Sequence, residues 1–173
     1  REKGVQHLAD VANIAMMMNA NVRFRVQLNY PQEYPLLREA KSRLIASDAV
    51  LPLTMGSMDE EAYARFIDAC HLILLPYDPE RYRSRGSGLI REALYRGRPV
   101  VVPRYTEMGA WVHREGIGVG FDEFNPSSIA AAVVAASEGY RDLARKAFMI
   151  GEGLEPEREA DQYLEFLMSE REA

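Results

Sequence analysis

Two apolar runs, each stopped by proline, constrain the fold of this chain most: Leu72-Ile73-Leu74-Leu75-Pro76 and Val100-Val101-Val102-Pro103. A strand with one wet face alternates polar and apolar residues, and these runs contain no polar position. They suit strands covered on both faces, as in a parallel sheet between layers of helices.

Helical and extended patterns alternate around them. Leu8, Val11, Ala12, Ala15 and Met16 recur at helical spacing, so residues 5–18 read as an amphipathic helix. Residues 22–28 alternate as a strand does. Pro31 and Pro35 bracket a loop, and helix returns over 36–46. Ala49 to Leu53 reads as a short strand, and Thr54-Met55-Gly56-Ser57 as a turn. Ser57 or Asp59 caps the next helix, which runs to about Ala69. After the first apolar run comes a loop from Asp78 to Gly86, then a helix opened by Ser87-Gly88 and closed by Gly97 in a left-handed cap.

The second apolar run leads into a polar loop and a strand from Gly118 to Asp122. Asn125-Pro126-Ser127 starts a long Ala-rich helix that Gly151 and Gly153 break, and a charged helix over 156–170 ends the chain. This order predicts one α/β domain over residues 1–173, Rossmann-like and three-layered, with a mostly parallel sheet. The chain opens on a loop and a helix, so the central strand expected before that helix is missing. That opening, with no initiator Met, is expected of a piece of a longer protein.

With 173 residues the chain can bury a core without disulfides or metals. Its 21 Lys and Arg against 26 Asp and Glu leave a net charge of −5, which disfavours general nucleic-acid binding. The single cysteine, Cys70, excludes an internal disulfide and a cysteine zinc cage, and fits a reducing, cytoplasmic compartment. No run approaches the roughly 20 apolar residues of a membrane span, so no transmembrane segment is expected.

Ligands of open parallel sheets bind at the carboxyl ends of the strands. Two loops at such ends carry suitable groups: Arg1-Glu2-Lys3-Gly4, and Tyr82-Arg83-Ser84-Arg85-Gly86-Ser87-Gly88. In the second, Gly86 and Gly88 let the backbone approach a ligand, and Ser87 either caps the helix or binds an oxygen. The helix start supplies free N–H groups and a positive dipole end, and Arg83 and Arg85 add full charge. The combination reads as an anion site, most simply for phosphate. Glu92, one turn on, is placed to accept from sugar hydroxyls. The bland reading is a Gly/Ser turn before a helix. Neither a P-loop nor a Gly-x-Gly-x-x-Gly fingerprint is present.

Cys70-His71-Leu72-Ile73-Leu74-Leu75-Pro76-Tyr77, followed by Ser87-Gly88-Leu89-Ile90-Arg91-Glu92-Ala93 and Gly97-Arg98-Pro99-Val100-Val101-Val102-Pro103, resembles the C-terminal half of retaining glycosyltransferases of family 4, which have the GT-B fold. Glu2-Lys3-Gly4, Gly116-Ile117-Gly118-Val119-Gly120 and Asn125-Pro126 fall in the same order. The likeness therefore covers nearly the whole chain. It implies a domain that binds a nucleoside-diphosphate sugar for hexosyl transfer to an acceptor. Lys3 matches the cation on the donor diphosphate, with Arg1 nearby. Ser87, Gly88 and Leu89 match the helix-tip amides facing that diphosphate. Glu92 matches the second Glu of a Glu-x7-Glu motif and would hold the ribose. Gly56 falls where the family's loop runs near the base. The partners implied are the nucleotide sugar and an N-terminal GT-B domain, whose residues would complete catalysis. Peripheral membrane contact would come through that longer protein.

The chain departs from the family at Ser84, where the first Glu of the motif belongs, and at His71, where an Asp belongs. Arg83, Ser84 or Arg85 would then have to serve the sugar, or the domain has lost its donor site and is an interaction module. Negative charge on a leaving diphosphate can be stabilised by fixed dipoles and cations. No Asp-x-Asp occurs in the chain, which favours this scheme over a metal, and no cofactor is expected. A flavodoxin-like receiver would need an acidic cluster at the strand ends, and the sequence lacks one.

The remaining candidates have plain structural readings. His71 is expected as a packed or edge histidine, His7 as surface decoration within reach of the site, Cys70 as a small core residue, and Met16-Met17-Met18 as core filling. Tyr163, Phe166 and Leu167 on the last helix would pack on whatever it meets.

Overall fold

The computed structural model describes residues 2–29 and 35–154. The order is a 3-10 turn Val5–His7, α1 Leu8–Met18, β1 Gln27–Leu28, α2 Pro35–Ile45, β2 Thr54–Met55, α3 Glu60–Asp68, β3 Ile73–Leu74, α4 Gly88–Tyr95, β4 Val100–Pro103, α5 Glu107–Glu115, β5 Gly118–Phe121, α6 Pro126–Glu138 and α7 Tyr140–Gly153. All pairing among the described strands is parallel. β1 lies beside β2, and β3, β4 and β5 form a second sheet in that order. The chain is thus α/β with short parallel sheets, compatible with a Rossmann-like domain.

Strand β4 shows why the apolar runs matter. Val100 and Val102 enter a core with Ile90, Leu94, Met108 and Val112, so they face α4 and α5. Val101 points the other way, into a core with Val11, Ala15, Ile129 and Val133 from α1 and α6. Alternation with no polar position places a strand between two helical layers. The run at 72–75 is less enclosed: Ile73 and Leu75 are buried, but Leu72 and Leu74 are only half-buried.

Several expectations need correction. The ladder beside β1 forms at Thr54 and Met55, read above as a turn, and Val50 contributes only an isolated bridge to Phe24. The register slips by one residue across Pro52-Leu53: the Leu51 N–H donates to the Phe24 carbonyl, and the Thr54 N–H, not that of Leu53, donates to the Val26 carbonyl. The polar loop after β4 contains α5, capped by Thr106, whose Oγ1 accepts from the Gly109 N–H at 3.1 Å. The Ala-rich helix ends at Glu138, and a new helix begins after Gly139. Gly151 does not break α7. It is buried in the helix, and a Cβ there would fall 2.0 Å from the Leu94 carbonyl oxygen, so it permits close contact with α4. Met17 and Met18 do not fill core. They are 84% and 54% exposed, because the buried face of α1 is made of Ala9, Val11, Ala12 and Ala15.

Other readings agree with the structure. Asp59, not Ser57, caps α3 by accepting from the Ala62 N–H at 2.8 Å. Gly97 follows α4 with φ 61°, a left-handed cap. The helix expected over 156–170, with Tyr163, Phe166 and Leu167, lies outside the described residues, as does Pro31.

Candidate functional site

The two charged loops meet. The Asp78 N–H donates to the Glu2 carbonyl at 2.9 Å, joining the first residues to the loop after β3. Gly4 makes this approach close: it is buried with φ 70°, and a Cβ there would fall 2.0 Å from the Pro76 carbonyl oxygen. Only glycine combines that backbone conformation with that contact. Lys3 is exposed beside this junction, and the Glu2 carboxylate lies 3.8 Å from the Arg85 guanidinium in an exposed pair. Such a pair contributes little to stability and can yield to a stronger anion.

Aromatic residues hold the loop. Tyr77 and Tyr82 are both buried and stack at 4.2 Å between centroids, with Arg85 set 5.9 Å over the Tyr82 ring. Burial pushes the Tyr82 phenol above its ordinary range. Tyr77 and Glu2 reinforce that shift, while Lys3 and Arg85 oppose it. Burial likewise raises Tyr63, with Glu92 and Tyr77 reinforcing and Arg96 opposing. Composition and spacing did not reveal these tyrosines as the scaffold of the site. Tyr77 directly before the loop and Tyr82 at its midpoint were the available signal.

The tip of α4 is open. Ser87 occupies the N-cap but its side chain caps no helix amide, and its Oγ lies 3.2 Å from the Tyr77 hydroxyl. The Gly88 and Leu89 N–H groups donate to no acceptor among the described residues. A Cβ on Gly86 or Gly88 would meet nothing within 4 Å, and neither residue has positive φ, so both glycines border open space. No acidic side chain occupies the first turn of α4. Such an end offers N–H donors and a positive dipole to an anion.

The other predicted residues divide. Arg83 and Ser84 are exposed, and the Arg83 carbonyl accepts from the Glu107 N–H at 2.9 Å, anchoring the loop to α5. Gly56 sits apart, at the carboxyl end of the β1–β2 pair, with φ 83°. Its N–H donates to the Leu28 carbonyl, and its carbonyl accepts from the Gln27 amide, both at 3.0 Å. No hydrogen bond or ion pair among the described residues joins it to the Lys3–Ser87 group. Arg1 lies outside the described residues.

Two of the three histidines meet aromatic rings. His7 is half-buried, edge-on to Phe124 at 4.8 Å, and burial lowers its pKa against the pull of Asp10. It is packed and not surface decoration. His71 is exposed and meets Tyr140 edge-on at 5.4 Å. Cys70 is half-buried, its thiol donates to the Phe66 carbonyl at 3.3 Å, and burial pushes its pKa up. Among the described residues no cluster of three or more His, Cys, Asp or Glu is placed to hold a metal. None of the described helices is long and apolar enough to cross a membrane. No family model matches the chain, and no curated protein matches it.

Proposed function

We propose that this chain is the nucleotide-sugar-binding half of a GT-B glycosyltransferase resembling family 4, acting without a metal. The observation that carries this reading is the open tip of α4, two residues after Arg85, whose guanidinium lies 3.8 Å from the carboxylate of Glu2, the neighbour of Lys3. The Gly88 and Leu89 amides have no acceptor among the described residues, and the Ser87 hydroxyl is directed at Tyr77. A diphosphate placed there would accept from these amides and neutralise the cations, displacing Glu2 from Arg85. Glu92, on the same helix one turn further, would receive the ribose hydroxyls. As the nucleoside diphosphate leaves, the fixed dipoles and cations stabilise its added charge. The acceptor and the remaining catalytic groups belong to an N-terminal domain, so this chain alone binds nucleotide and transfers nothing.

Calorimetry with UDP and GDP tests the reading. A saturable heat with one of them, reduced in Lys3→Ala and in Glu92→Ala, is the expected result. No heat with either, on folded protein, overturns it. A second reading rests on Ser84, exposed where the family carries a carboxylate: an interaction domain that has lost its donor site. Nucleotide affinity indifferent to both substitutions would support that alternative.

A further inference from the structure

A cleft of about 680 Å3 separates the β1–β2 pair from the β3–β4–β5 sheet. Residues 21–27 form one wall and residues 69–74 the other, so strand backbone faces strand backbone. Parallel ladders use alternate residues on each side of a strand. Phe24, Val26 and Leu28 bond across to the segment leading into β2, and Ile73 and Leu75 bond to β4. The alternation turns the backbone N–H and C=O groups of Arg23, Arg25 and Gln27 towards the cleft from one side, and those of Leu72 and Leu74 from the other. Leu72 and Leu74 also remain half-buried, although their sequence is that of a strand covered on both faces.

We propose that this cleft is a slot for one more parallel β-strand, entering in line with Glu2. The slot already has both helical covers. Leu8 of α1 and Val133 of α6 line it on one face, and Phe66 and Leu89 on the other. Glu2 is tied to Asp78, at the carboxyl end of β3. A strand parallel to β3 and finishing there runs directly into Glu2. Its continuation through α1 to β1, on the far wall, makes an ordinary strand–helix–strand unit. The occupant is an extended apolar segment of about five residues, since the walls are about that long and a strand rises roughly 3.3 Å per residue. It pairs its backbone with both edges and buries side chains on both faces. This inference is independent of the nucleotide reading.

Three chains test it: the 173-residue chain, the same chain preceded by a Val-Ile-Val-Phe-Val segment, and a control preceded by a Gly/Ser segment of equal length. The apolar extension should raise Tm by about 5 °C or more over the control. It should slow amide exchange at Arg25, Leu72 and Leu74, and iodoacetamide alkylation of Cys70 in the slot wall, by about tenfold. Unchanged Tm, exchange and alkylation relative to the Gly/Ser control overturn the proposal. Protection that appears only as protein concentration rises also overturns it, because a second copy is then the occupant.

Discussion

The Tyr77 hydroxyl lies 3.2 Å from the Ser87 Oγ. The residue at the N-cap of α4 thereby directs its hydroxyl at a tyrosine and leaves the first helix amides unfilled. An N-cap serine ordinarily accepts from the second or third helical N–H. Here the buried Tyr77–Tyr82 stack competes for it. The uncapped state of the α4 tip is therefore a tertiary property, built by a side chain ten residues upstream.

Tyr77→Phe keeps the stack and removes the hydroxyl. Ser87 is then free to cap α4, which occupies the amides a phosphate would use. Stability should change by less than about 1 kcal/mol, because the cap offsets the lost hydrogen bond. Nucleotide affinity should fall, and calorimetry beside thermal denaturation separates the two effects.

The exposed Glu2–Arg85 pair predicts opposite effects of neutralising its two sides. Glu2→Gln releases Arg85 and should tighten pyrophosphate binding roughly threefold, whereas Lys3→Ala or Arg85→Ala should weaken it about three- to tenfold. Raising the salt concentration should shrink all three differences. Identical affinities across the series would remove these charges from the site.

Gly4→Ala strains a backbone at φ 70° and drives a Cβ into the Pro76 carbonyl. It should cost about 2 kcal/mol or more in urea denaturation. Because it also separates Lys3 from the loop after β3, nucleotide binding should fall in the same variant. Wild-type binding in a destabilised Gly4→Ala protein would show that the two loops act separately.

Burial lowers the His7 pKa below its ordinary value of 6.5. The unfolded state therefore takes up the proton first as pH falls. The stability associated with the neutral ring is complete above about pH 6.5 and is lost below it, through the folded-state pKa. His7→Phe should flatten this part of the stability curve, measured by denaturation from pH 7.5 to about pH 5. An unchanged slope would assign the acid sensitivity elsewhere.

The amino-acid sequence by itself determined that the strand at Val100-Val101-Val102 is central, because it has no face fit for water, and where helices begin, because Asp59 and Asn125 carry cap chemistry in their immediate surroundings. Charge and glycine spacing also singled out the loop with Arg83, Arg85, Gly86, Ser87 and Gly88 as a candidate anion site, and the family resemblance added Lys3. Local chemistry settles those features within one turn or one loop. Only tertiary packing decided that Ser87 leaves its helix uncapped, that Gly151 is a contact with Leu94, and that Met17 and Met18 face outward. Each depends on what another element presents: a tyrosine ring, a carbonyl, or a helix face already filled by alanines. No local pattern encodes the neighbour, so contacts between distant segments became legible only once the chain was folded.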